Sequence, residues 1–229
     1  MTKQILLISI LLGTSLGLVG CNENSEQKEL ISQPLLKGEA NQSNYEMAQK
    51  FFDEGDYKEA LKYDLKQLEV DLKHYKEQSA EISLDYNNIG LDYDELKEYH
   101  KALGYYTKAM KIDDVVLDTN STERATTYYN VASSYDALGD NGNALTYYFK
   151  ALKIDQAVSG EVHENVLSSY LDIAKIYKKT EKYSSALTYY KKALKVQTKV
   201  FGADDKDTLA TAKIVEELEK KNNIIPQEK

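Results

Sequence analysis

The apolar positions of this chain fall into a pattern that returns four times. Ala60, Ala102, Ala144 and Ala186 stand 42 residues apart, each inside a tyrosine-rich stretch. Upstream of three of them a large, an aliphatic, a small and an aromatic residue recur: Tyr86, Ile89, Gly90 and Tyr93; Tyr128, Val131, Ala132 and Tyr135; Tyr170, Ile173, Ala174 and Tyr177. Offsets of three and four put each set on one stripe of an α-helix. After a short polar break a second stripe follows: Ala102, Tyr106 and Ala109, then Ala144, Tyr148 and Ala151, then Ala186, Tyr190 and Ala193. Each unit is therefore predicted to be a helix, a turn and a second helix. The small residues, Gly90 or Ala132 facing Ala102 or Ala144, would let the two backbones approach closely while tyrosines fill the gaps beside them.

A fixed period of this size predicts a stacked array in which each unit buries its apolar face only against its neighbours. The units occupy about residues 41–74, 83–116, 125–158 and 167–200, and the first is the most degenerate, as end repeats are. A last stripe through Leu209, Ile214, Val215 and Leu218 has no partner helix. It predicts a capping helix over about 207–221, with Asp205 or Asp207 as its N-cap. Residues 222–229 read as a disordered tail.

The units resemble the tetratricopeptide repeat (TPR), whose signature is W-x2-L-G-x2-Y, then A-x3-F, then P, on a period of about 34 residues. Here Tyr stands for Trp and Phe, the proline is absent and the period is longer. Those departures are similar to the extended repeats of the kinesin light chain and LGN type, as are the Asn87-Asn88 pair and the linkers Ser159 to Val166 and Phe201 to Thr211. The resemblance covers roughly Asn41 to Lys221. It implies an all-α fold, a right-handed superhelix (α-solenoid) of four helix-turn-helix repeats plus a C-terminal capping helix, within residues 44–221.

The resemblance also implies a concave groove lined by the first helix of each unit. Carried over position by position, the groove residues are Tyr45, Gln49 and Phe52; Asn87, Asn88, Leu91 and Asp94; Tyr129, Asn130, Ser133 and Asp136; Leu171, Asp172, Lys175 and Lys178. They are expected to be exposed. Asn88 and Asn130 hold equivalent places, and an asparagine can both donate to and accept from the backbone of an extended peptide. Leu91, Tyr129 and Leu171 would add apolar contacts along the groove. The carboxyl-clamp positions of chaperone-binding repeats would fall at Tyr45, Gln49, Asn88, Thr126 and Asn130, and only Asn88 fits. Capture of a chaperone tail is therefore not expected. The first helix of the second unit carries Asp85, Asp92, Asp94, Glu95 and Glu98, whereas that of the fourth carries Lys175, Lys178, Lys179 and Lys182. The groove is expected to run from acidic to basic, which predicts a partner segment of complementary polarity.

The N-terminus is a different kind of sequence. Lys3 is followed by an apolar run from Ile5 to Leu12, small residues, and then Leu18-Val19-Gly20-Cys21. The run falls short of the ~20 residues that span a bilayer and has the layout of an export signal. Its ending resembles the lipobox of bacterial lipoproteins. That resemblance implies a signal peptide over residues 1–20, lipidation of Cys21 and a flexible tether over residues 21–43. The bland alternative is an unmodified thiol after an ordinary cleavage site, or a retained anchor. Asn22 in place of an aspartate points to the outer membrane facing the periplasm in a Gram-negative host, otherwise to the outer face of the cytoplasmic membrane. Cys21 is the sole cysteine, so no disulfide within the chain can staple the array.

Net charge is −8, which disfavours nucleic acid as a partner. His74, His100 and His163 have no second His or Cys at metal-ligand spacing, and no nucleophile elbow, phosphate-cradling loop or EF-hand pattern occurs. Carboxylates such as Asp92, Asp94 and Glu95 read as a solvated helix face rather than a catalytic pair. No catalytic residue, metal or cofactor is therefore predicted. The nineteen tyrosines, paired at Tyr105-Tyr106, Tyr147-Tyr148 and Tyr189-Tyr190, read mainly as packing residues. The expected function is a non-enzymatic, membrane-anchored scaffold that binds an extended segment of one or more envelope proteins. The alternative is a lipoprotein that binds glycans or peptidoglycan fragments through its tyrosines.

Overall fold

The computed structural model describes residues 39–224, with side chains for residues 44–222. The expectations for the signal peptide, Cys21, most of the tether and residues 225–229 lie outside the described residues. Those described form helices only: α1 (Glu39–Asp53), α2 (Tyr57–His74), α3 (Ala80–Glu95), α4 (Tyr99–Val116), α5 (Thr122–Ala137), α6 (Asn141–Ser159), α7 (Glu164–Lys179), α8 (Tyr183–Val200) and α9 (Lys206–Ile224). Whereas a tether is predicted as far as residue 43, α1 already begins at Glu39. The capping helix α9 likewise runs past residue 221 to Ile224. Neither extension carries an apolar stripe that could announce it.

Local chemistry sets the boundaries. Asp56, Ser79, Ser121 and Asp140 each cap a helix by accepting a backbone N–H three residues on. His163 caps α7 through Nδ1, which accepts the Asn165 N–H at 3.2 Å. Asp205 accepts the N–H groups of Asp207 and Thr208 at 3.0 and 2.9 Å, so of the two candidate caps for α9 it is the one used. Between the two helices of every unit one residue is left-handed, always at the same place in the repeat: Gly55, Lys97, Gly139 and Glu181, with φ of 79, 63, 81 and 59°. Two units meet this demand with glycine, and two hold a side chain there at a cost.

The four alanines that define the repeat are fully buried. They sit where α1 meets α2, α3 meets α4, and so on, with each helix also packed on the next in order. The closest approach is in the second unit, where a Cβ on Gly90 would lie 2.5 Å from the Tyr106 ring. Tyr106 is itself wholly buried and has no room to yield. At the flank of each pair stand three tyrosines: Tyr105 lies 6.1 Å from Tyr86 and 5.5 Å from Tyr93, Tyr147 lies 5.9 Å from Tyr128 and 5.8 Å from Tyr135, and Tyr189 lies 6.1 Å from Tyr170 and 5.8 Å from Tyr177. These separations are those of favourable aromatic pairs. In the first unit Phe51 and Tyr63 keep one contact of this set, at 5.6 Å.

Candidate functional site

Three of the first helices, α3, α5 and α7, also reach one another, since α3 packs on α5 and side chains bridge both α3 to α5 and α5 to α7. That places them on the inner side of the stack. Asn130 Nδ2 donates to Asn87 Oδ1 at 3.2 Å, Ser134 Oγ donates to Asp94 Oδ1 at 2.7 Å, the Tyr129 hydroxyl donates to Asp172 Oδ2 at 2.5 Å, and Lys179 Nζ donates to Asp136 Oδ1 at 3.5 Å. Three of these rungs join residues 43 apart rather than 42. In these rungs α5 is shifted by one residue against α3, and α7 against α5, so partners lie one step past the equivalent position.

These rungs change the status of the residues expected to be exposed. Asn87, Asn88, Leu91, Asp94, Tyr129, Asn130, Ser133, Asp136 and Leu171 are half-buried, and only Lys175 and Lys178 are exposed. Tyr129 stacks edge-on to Tyr148 at 5.2 Å. Burial, and then the charge of Asp172, hold its phenol well above the ordinary range. Leu171 packs between the two C-terminal core clusters. Neither residue is a free apolar contact for a ligand. Lys175 Nζ pairs with Asp172 at 2.7 Å within α7, so Asp172 is held by both the lysine and the tyrosine. Asn88 and Lys178 remain without a side-chain hydrogen bond or ion pair among the described residues. In the first unit Gln49 donates to Asp53 at 2.9 Å, and Phe52 lies edge-on to Tyr57 at 5.1 Å.

The acidic end of the predicted groove needs the larger correction. Asp92 is fully buried and Asp85 nearly so, which is not a solvated face. Both stand on the stripe of Ile89, four residues before it and three after, so the periodicity itself held the signal. Asp85 meets Asp71, and Asp92 meets Asp64, across the contact of α2 with α3, and all four carboxyls are buried. Burial first, and then the charge of and a hydrogen bond with Asp71, push Asp85 up to about 9. In the other pair burial raises Asp64 and Asp92 alike, and the charge of Asp64 raises Asp92 further. Among the described residues no N–H group or hydroxyl reaches either oxygen of Asp92, so this pair is satisfied only when one of its carboxyls carries a proton. The acidic groups of α3 on the inner side are then Asp94 and Glu95, while Lys175 and Lys178 keep the far end basic.

Among the described residues no three His, Cys, Asp or Glu side chains converge where a cation could be held. The paired tyrosines are committed to packing: Tyr106, Tyr148 and Tyr190 are buried, and Tyr105, Tyr147 and Tyr189 lie against two further rings each. What the inner face offers is a polar floor of asparagine, serine and aspartate, flanked at one end by two exposed lysines.

Comparison with known proteins agrees with this architecture. The tetratricopeptide repeat family model matches residues 39–114 and 123–213. No curated protein sequence matches. Among solved structures, BtubC (BKLC) from P. vanneervenii superposes with a TM-score of 0.70 at 20% identity, over 88% of this chain and 85% of its own. A kinesin light chain-like protein of Podosopora anserina with nearly identical TPR-like repeats gives 0.68 at 17% identity, over 80% of this chain and 86% of its own. The apo form of RapI gives 0.66 at 20% identity, over 84% of this chain and 51% of its own. At these identities the likeness is one of fold, and it is to extended repeats of the kinesin light chain kind. The chain belongs to the tetratricopeptide repeat family.

Proposed function

We propose that this chain is a lipid-anchored, non-enzymatic adaptor of the bacterial cell envelope, whose inner groove holds an extended segment of a partner protein. The TPR fold supports a scaffold that binds proteins. The observation that carries the groove reading is Asn88: half-buried on the inner face of α3, its side chain makes no hydrogen bond among the described residues, one turn from Leu91 and beside the Asn87–Asn130 rung. A partly desolvated amide of this kind gains most when a peptide backbone supplies its missing partners. A Rap protein, similar in fold at a TM-score of 0.62 and 17% identity, has been solved in complex with Competence and Sporulation Factor, which supports ligand capture by such a stack. The anchor rests on Leu18-Val19-Gly20-Cys21, and the tyrosine packing leaves little ring surface for the glycan alternative.

A photoreactive residue at position 88 should crosslink one envelope protein, and the same residue at position 153, on the opposite face of its unit, should not. With that partner purified, Lys175→Glu with Lys178→Glu should weaken binding by about tenfold, because reversal removes the attraction and adds repulsion. Crosslinks shared by both positions, or unchanged affinity, would reject the groove. Fatty-acid labelling of the protein in cells, abolished by Cys21→Ser, tests the anchor separately.

A further inference from the structure

The net charge of −8 conceals a basic face. Lys108 and Lys111 on α4, Lys150 and Lys153 on α6, and Lys192 and Lys195 on α8 repeat at the 42-residue period, and all six are exposed. A spacing of three keeps the two lysines of each helix on one stripe. Lys108 Nζ lies 5.1 and 4.4 Å from the ring centres of Tyr86 and Tyr105, Lys150 Nζ 5.2 and 4.6 Å from Tyr128 and Tyr147, and Lys192 Nζ 5.3 and 5.1 Å from Tyr170 and Tyr189. Because each sits over the same tyrosine pair, the three ammonium groups leave the same flank of successive units. None of the six forms an ion pair among the described residues. The exposed carboxylate of these three helices, Asp114, is taken by Arg124, and the buried Asp113 and Asp155 do not reach the surface. In the first unit the row is interrupted, for Glu69 stands where the others have lysine and pairs with Lys73.

We propose that this lysine face of α4, α6 and α8 docks on an anionic phospholipid surface, that of the membrane to which the chain is tethered; it rests on the anchored reading given above. Like charges repeated on three consecutive units, none of them in an ion pair among the described residues, call for an extended anionic surface rather than a point ligand. All six are lysine, and the chain has a single arginine, Arg124. Lysine is a point charge that suits mobile headgroups, whereas nucleic acid and acidic peptides are more often read by the bidentate arginine fork. The tyrosines beneath are packed against one another and offer no ring to stack on a base. A chain of net negative charge would be repelled by such a membrane in most orientations. Docking by the second helices is the attractive one, and it leaves the inner face of the first helices open to a partner.

The test uses the full chain carrying Cys21→Ser, so that no lipid can insert, sedimented with vesicles of about one-third phosphatidylglycerol in phosphatidylcholine and with vesicles of phosphatidylcholine alone. At about fivefold per lysine, the expected result is tight binding to the anionic vesicles only, lost in high salt, and weakened by at least about a hundredfold by Lys108→Glu, Lys150→Glu and Lys192→Glu together, since reversal adds repulsion to the lost attraction. The second trio, Lys111→Glu, Lys153→Glu and Lys195→Glu, touches no ring; it should reproduce the loss with an unchanged melting curve, which separates lost charge from lost packing. Equal binding to both vesicles, or anionic binding indifferent to the second trio, would overturn the proposal. So would a trio that abolishes binding to duplex DNA while leaving vesicle binding intact. Absence of fatty-acid labelling at Cys21 in cells would instead remove the anchor on which the choice of membrane rests, whatever the vesicles show.

Discussion

The contact of α2 with α3 and the contact of α4 with α5 hold the same place in the repeat but are closed by different chemistry. In the second, Asp113 is buried at the end of α4 and accepts from Thr127 Oγ1 at 3.0 Å and from Ser83 Oγ. In the first, the same two positions are Asp71 and Asp85. The contrast repeats one layer away, where Asp64 and Asp92 take the places filled in the next unit by Tyr106 and Ser134. A hydroxyl brings its own proton to a buried carboxylate, and a second carboxylate does not. Burial raises the Asp113 carboxyl as well, but its two hydroxyl partners oppose the rise, whereas in the other register the second carboxylate adds to it.

Moving the acid pair should have the largest effect. Thr127→Asp would set a second carboxyl against Asp113 in the α4/α5 contact and cost roughly 3–5 kcal/mol at pH 8, the scale for an uncompensated buried charge. Chemical denaturation at pH 8 and pH 5 should show the loss shrinking in acid as the new pair takes up a proton.

The tyrosine that replaces Asp64 in later units can be probed in its tightest setting. Gly90→Ala should destabilise the array by about 1–3 kcal/mol, because the added Cβ meets the Tyr106 ring and neither has space to move. Thermal unfolding checks it, and an unchanged midpoint would mean that α3 and α4 are packed less closely than described.

Making the first contact like the second should have a comparable but opposite effect that depends on pH. The folded value of Asp85, about 9, lies above its ordinary 3.8. The stabilisation from its bound proton is therefore fully present in acid below the unfolded value, and is lost as pH rises toward the folded one. Wild type should be more stable at pH 5 than at pH 8. Asp85→Thr should reduce that slope, leaving the share of the Asp64–Asp92 pair, and gain about 1–2 kcal/mol at pH 8, where a donor replaces a carboxyl that needs a proton. A slope unchanged by the substitution would have to come from other groups.

The repeat was legible because packing imposes it. Ala60, Ala102, Ala144 and Ala186 and the tyrosine stripes announce both helices of every unit, since only small residues fit where two backbones meet. The inner face was less so. Tyr129–Asp172 and Asn130–Asn87 join residues 43 apart, and the one-residue shift arises from how successive first helices sit against each other, which no single stripe encodes. Asp92 shows a different failure. Its position on the Ile89 stripe marked it as buried, but its residue type argued for solvent, and the partner that makes burial tolerable, Asp64, lies in the preceding unit. The lysine face was hidden by the overall charge, because the carboxylates that set that total lie elsewhere or inside.

The most direct measurement of the contrast is a carbon-13 titration of the side-chain carboxyls in the intact protein, with Asp85 assigned by its loss in Asp85→Thr. The α2/α3 contact predicts that Asp85 stays protonated through neutral pH and titrates near 9, well above its ordinary 3.8. A midpoint near that ordinary value would mean that the first contact is held together without a proton, and the difference between the two junctions would disappear.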